Sequence, residues 1–173
     1  MNRRQYLSLI GAAAIAGCAT ESDPGTWTGE PNPPVTLAAR DATAQPADVS
    51  LELTYNSYAG PELPTDPATL ADDGYKWLII RCDVTNVSDT QRDLTMYQYL
   101  VESNGEQYET VQTKESWSLA EQSAGPGGTV TGWLVFQIPQ ETTEATLFVR
   151  GETQTTFEIR FKRDRSLTAE ISN

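Results

Sequence analysis

A chain of 173 residues with 38% hydrophobic side chains can build one core of the usual size plus appendages, but is too short for two full domains. It carries 24 Asp and Glu against 12 Lys and Arg; phosphate backbones are bound by clustered cations, so a surface of this sign argues against a nucleic-acid partner. The chain has no histidine, which removes the usual general base, the Ser-His and Cys-His nucleophile pairs and the ordinary zinc ligands, and neither an enzyme nor a cofactor is expected.

The chain opens MNRRQYLSLIGAAAIAGCAT. Arg3 and Arg4 precede an apolar run rich in Ala and Gly, Leu7 to Gly17, of about eleven residues where a bilayer-spanning helix needs about 20. The run therefore reads as a signal segment. The paired arginines resemble a twin-arginine (Tat) signal, which implies export of an already folded protein. Ile15-Ala16-Gly17-Cys18 resembles the lipobox of lipoproteins: small residues admit a peptidase to the backbone, and the thiol forms a thioether to a diacylglyceryl-type lipid. The resemblance implies that residues 1–17 are removed and that Cys18 is lipidated at the outer face of the cytoplasmic membrane. Two other readings are a buried cysteine in an N-terminal helix and a soluble secreted protein. Without Arg3 and Arg4, ten bases face 24 acids, a net charge of −14. An anionic surface repels such a chain, and two acyl chains, at about 0.8 kcal/mol per buried methylene, suffice to hold it there.

Residues 18–48 hold five of the ten prolines among Gly, Thr, Ser and acids, with no apolar period. They read as a disordered tether, about 30 Å long as a coil and about 90 Å at full extension. Trp27, Val35 and Leu37 either dock on the domain or begin a short strand.

From Val49 the apolar period becomes two. Val49, Leu51, Leu53 and Tyr55 alternate with Ser50, Glu52 and Thr54; Leu78, Ile80, Cys82 and Val84 alternate with Trp77, Ile79, Arg81 and Asp83; Leu134, Phe136 and Ile138 share a side with Gln137 opposite, Leu147 and Val149 recur nearby, and Phe157, Ile159 and Phe161 alternate with Glu158 and Arg160. These are half-buried antiparallel strands. Cys82 shares its face with core residues, so it reads as a small core side chain. Turn signals separate the strands, and Asn104-Gly105 is the sharpest, because a type I′ turn needs positive φ at both central positions. Seven or so strands over residues 49–163 make an all-β, immunoglobulin-like antiparallel sandwich, followed by a tail, 164–173. Gly60 to Gly74 is too long and too rich in proline for a tight hairpin, and Pro67 to Asp72 suits one helical turn.

Three stretches in order resemble a known family: Lys76-Trp-Leu-Ile-Ile-Arg-Cys-Asp-Val-Thr-Asn-Val-Ser-Asp89, the hairpin Tyr99-Leu-Val-Glu-Ser-Asn-Gly-Glu-Gln-Tyr108, and Gly125-Pro-Gly-Gly-Thr-Val-Thr-Gly-Trp-Leu-Val-Phe-Gln-Ile-Pro139. They are similar to the immunoglobulin-like (telokin-like) extracellular domains of unknown function, DUF4352, over residues 49–162. With the signal, the chain resembles exported lipoproteins of halophilic archaea, and its even spread of carboxylates with only three Lys agrees, since screening shortens to about 3 Å at 1 M salt. The family's motifs are structural and bring no catalytic residue.

Remaining candidates each carry two readings. Glu62, Asp66, Asp72 and Asp73 offer oxygen ligands for calcium but lack the spacing of a calcium loop, and a solvated loop is preferred. Asn86-Val87-Ser88 is an N-glycosylation sequon, meaningful only outside the cell; the preferred alternative is a turn residue at a strand end. Trp77 and Trp133, on the polar side of their strands, are the candidates for an exposed patch facing a protein or glycan. The reading is a lipid-anchored surface module that binds or scaffolds. The rival is a small-ligand or cation-binding accessory subunit of an envelope transporter, more remotely a hydrolase.

Overall fold

The computed structural model describes residues 26–27, 35–44, 50–63, 66–111, 119, 122–151, 157–167 and 169–170. In chain order the strands are β1 (Thr26–Trp27), β2 (Thr36–Ala39), β3 (Ala42–Ala44), β4 (Leu51–Gly60), β5 (Glu62–Leu63), β6 (Asp66–Leu70), β7 (Tyr75–Asn86), β8 (Arg92–Asp93), β9 (Tyr97–Ser103), β10 (Glu106–Glu109), β11 (Ser123–Ala124), β12 (Thr129–Pro139), β13 (Glu144–Gly151), β14 (Phe157–Arg163) and β15 (Ala169–Glu170). A 3-10 turn, Leu94–Met96, precedes β9, and no α-helix occurs among the described residues.

β12, β7, β4, β14 and β3 form one sheet in that order, and β10, β9, β13 and β2 form the other. Alternation makes them stack. Every second residue of β4, β7 and β12 points inward, including Leu53, Ile80, Cys82 and Phe136, and meets Leu37, Tyr99, Val101 and Leu147 of the facing sheet in one buried cluster. Each fully buried Leu, Ile, Val or Phe stabilises by roughly 1.5–3 kcal/mol. Tyr97 and Phe157 join the sheets edge to face with 5.4 Å between centroids. The fold class is the all-β, immunoglobulin-like sandwich that the alternation predicts. Asn104 and Gly105 have φ of 53° and 82°, and the hairpin they close pairs Ser103 with Glu106.

Three local expectations need correction. First, pairing is antiparallel except between β13 and β2 and between β14 and β4, which run parallel. Parallel neighbours need a long crossover, and here more than half of the chain separates the partners, Ala39 from Glu144 and Gly60 from Phe157. Second, the sandwich begins before residue 49. β2 pairs with β13, and past Arg40 and Asp41 the chain changes sheet so that β3 pairs with β14. Val35 and Leu37 are buried in the core, Leu37 within β2 and Val35 just ahead of it. β1 pairs with β15 inside the expected tail.

Third, Gly60 to Gly74 contains a bulged hairpin, β5 with β6, in place of a helical turn. Trp77 and Ile79 of β7 and Trp133 of β12 need a cover on the outer face of the sheet, and Leu63 and Ala71 provide it. The Trp77 indole donates to the Thr69 carbonyl at 3.3 Å. Pro67 has no N–H to give a helix interior, whereas an edge strand tolerates it.

Candidate functional site

The outer face of the five-stranded sheet carries polar side chains whose partners lie far away in the chain. β12, β7 and β4 lie in register, so outward residues form cross-strand rows, Trp133–Arg81–Asn56 and Val135–Ile79–Tyr58. Their orientation follows from the inward set by alternation.

The Arg81 guanidinium lies over the Trp133 ring, 5.5 Å from Cζ to centroid. Its Nη2 sits 3.3 Å from Asp83 Oδ1, which also accepts from the Thr131 hydroxyl at 2.6 Å. Arg81 Nε and Nη1 are buried and meet no acceptor. Such orphan donors are costly, so the row is polar at a price in stability.

Asn56 and Tyr58 reach the other way, to the chain beyond β14. Asn56 Nδ2 donates to the Leu167 carbonyl at 2.9 Å and to the Arg165 carbonyl at 3.4 Å, and the Tyr58 hydroxyl donates to the same Leu167 carbonyl. Burial pushes the Tyr58 hydroxyl above its ordinary pKa, against the lowering pull of Asn56 and Arg81. These groups donate hydrogen bonds and stack; they hold chain segments and acceptor groups in place.

The residues singled out from sequence are not gathered into one site. Trp77 and Trp133 are 3% and 7% exposed, which corrects the expectation of an exposed partner patch: the β5–β6 hairpin covers them. Asn86 is fully buried, and its Nδ2 donates at 2.8 Å to both the Thr90 and Ala124 carbonyls. That nitrogen is the one a glycan would need, so of the two readings of the sequon the preferred one, a turn residue at a strand end, is the one observed, and glycosylation is not supported; its Oδ1 also accepts from the Ser88 N–H and hydroxyl.

Cys82 is a buried free thiol, and burial pushes its pKa up. Among the described residues no group of three Asp, Glu, Cys or His side chains is placed to hold a metal ion, and Glu62, Asp72 and Asp73 are exposed. Cys18, Arg3 and Arg4 lie outside the described residues. Two clefts of about 340 and 300 Å³ open on the four-stranded side, one beside Met96 and Arg150, the other beside Ser103 and Glu144.

Sequence reasoning missed the Asn56 and Arg81 rows. Asn inside a strand and Arg between Ile80 and Cys82 were the only local signals, and the partners of Asn56 lie more than a hundred residues away.

A family model described as "Domain of unknown function (DUF4352)" matches residues 43–159. Among solved structures, an uncharacterised β-sandwich protein from Clostridium difficile 630 is similar at 13% identity and a TM-score of 0.43, with 74% of this chain and 95% of that chain covered. No curated protein matches. The family match spans well over half of the residues, and the chain belongs to the DUF4352 family of domains of unknown function.

Proposed function

We propose that the chain is a Tat-exported lipoprotein of the cell surface, held to the membrane by a lipid on Cys18, whose β-sandwich binds or scaffolds a protein or glycan partner without catalysis. The observation that carries this reading is the order Arg3-Arg4, a short apolar run, then Ile15-Ala16-Gly17-Cys18 at the head of the chain. The absence of histidine and the buried state of Cys82 support a module that binds rather than reacts.

Fractionation of cells expressing the full chain tests the anchor: Cys18→Ser moves from the membrane to the soluble fraction, and retention of that variant on the membrane contradicts it. Crosslinking on intact cells tests the module. A discrete adduct with one surface neighbour supports it, and turnover of a substrate by the purified chain contradicts it.

A further inference from the structure

We propose that Asn104 is a site of spontaneous modification: its side-chain amide is hydrolysed through a cyclic imide formed with the Gly105 nitrogen, and the product loosens the β9–β10 hairpin. The only co-reactant is water. The Gly105 nitrogen attacks Asn104 Cγ, so that a bond forms between them, the bond from Cγ to Nδ2 breaks, and ammonia leaves with the proton given up by the Gly105 nitrogen. Water then opens the imide at either carbonyl. Opening at Cγ leaves a side-chain carboxylate on an ordinary backbone; opening at the main-chain carbonyl leaves a backbone that runs through Cγ and is longer by a methylene, an isoaspartyl linkage.

A small residue follows both Asn56 and Asn104, so the sequence alone nominates two positions. The fold separates them. Asn104 and Gly105 are exposed, with φ of 53° and 82°, and the pair that closes their turn is Ser103 with Glu106. Neither the Gly105 N–H nor the Asn104 amide has a hydrogen-bond partner among the described residues. A Cβ added at Gly105 would meet nothing within 4 Å, so water reaches both groups. Asn56 is 9% exposed, its Nδ2 is tied to the Tyr58 hydroxyl and the Arg165 and Leu167 carbonyls, and its Oδ1 accepts from the Ser57 N–H. Asn86 is fully buried and tied as described above, and the Val87 N–H behind it donates to the Ser50 carbonyl at 3.2 Å. Ring closure requires Cγ to swing onto the next nitrogen. A turn tip opens for that at little cost, whereas Asn56 and Asn86 must first give up buried bonds.

The consequence falls on β10, whose strand partner among the described residues is β9 alone. A two-residue turn sets the register of that pair, and an added backbone methylene breaks the fit. The new carboxylate also joins Glu102 and Glu144 around one cleft and stands two residues from Glu106, which adds repulsion. Gln98 Nε2 donates to Glu109 Oε1 at 3.0 Å, and Arg150 Nη2 donates to Gln107 Oε1 at 3.1 Å, so side chains of β9 and β13 are fastened to β10. The Arg150 bond crosses β9 at the level of Leu100, which alternation turns outward between the inward Tyr99 and Val101 and which is nevertheless 2% exposed. Loosening β10 uncovers it.

The test incubates the purified full chain at mildly alkaline pH, folded or unfolded in urea, and follows each asparagine by peptide mapping, with isoaspartyl methyltransferase labelling to detect the lengthened backbone. Because a following glycine is intrinsically faster than a following serine, the readout is each position's folded rate against its own rate in urea. Position 104 is expected to convert in the fold within a few-fold of its urea rate and to yield isoaspartate, while position 56 is slowed many-fold by folding. Protection of position 104 as strong as that of position 56, or a product without isoaspartate, overturns the proposal. The converted fraction is then separated by its added charge and examined by hydrogen exchange. Amides of Glu106–Glu109 are expected to exchange several-fold faster than in the unconverted chain, with β12 unchanged; equal exchange in β10 overturns the effect on the hairpin.

Discussion

Arg81 and Trp133 are register partners across β7 and β12, and the guanidinium stacks on the indole at 5.5 Å while two of its nitrogens meet no acceptor. The two side chains contribute with opposite economy. Trp133→Ala empties the space under the β5–β6 hairpin and lowers stability by about 3–5 kcal/mol. Arg81→Met removes orphan donors along with a partly exposed ion pair, and Asp83 keeps its Thr131 hydroxyl, so stability changes by less than about 1 kcal/mol. Urea midpoints of the two variants check this; a larger loss from the Arg81 change would show that the guanidinium is satisfied in solution.

Asn86 ties the end of β7 to the Thr90 and Ala124 carbonyls. Asn86→Ala leaves both acceptors buried and unpaired and costs about 1–3 kcal/mol. Glycopeptide mass spectrometry of the exported protein finds position 86 unmodified. A glycan there would require the turn to be open in the native state.

Burial raises the pKa of Cys82, Tyr99 and Tyr97 above their ordinary values. All three stay neutral in the fold and ionise first in the unfolded chain, the thiol near about 8.5 and the phenols near about 10. Their stabilisation is complete below those values and is lost as pH rises from them toward the folded values. Lys76 works in the opposite sense, because burial lowers its pKa and relieves a penalty as pH climbs toward about 10.4. Burial raises Tyr55, Tyr58 and Tyr108 as well, so six groups stand against one and the net trend is downward, by up to about 1.4 kcal/mol per pH unit for a group in its window. Denaturant titrations at pH 8 and pH 11 give the lower stability at pH 11. In a Cys18→Ser background, Cys82 reacts with a thiol reagent only after unfolding.

Gly151 admits the Phe157 ring so closely that an added Cβ would lie 2.0 Å from its Cε1. That ring also stacks on Tyr97. Gly151→Ala pushes it into the core and costs about 1–3 kcal/mol, read as a lower melting temperature with the sandwich otherwise intact. Gly125→Ala, with open space around it, serves as the control and changes little.

The strands of the core were legible because burial on one face imposes a period of two, as at Leu78 to Val84, and because Asn104-Gly105 encodes its own turn. What hid from the sequence was pairing between distant segments. Leu37 and Ala42 lie among prolines that mask any period, yet each half of that segment closes a sheet edge. Trp77 and Trp133 stand on the face that alternation marks as solvent, and a cover folded from Gly60 to Gly74, with Arg81 stacked on Trp133, helps to bury them. The Asn56 contacts belong to the same class: a strand asparagine shows nothing of a carbonyl waiting at Leu167.

The central claim is the attachment at Cys18, and intact mass spectrometry of the protein extracted from membranes tests it most directly. The account predicts a chain that starts at Cys18, lacks residues 1–17 and carries the added mass of a diacylglyceryl-type lipid on that residue. A mature chain that begins elsewhere, or that begins at Cys18 with an unmodified thiol, would contradict it.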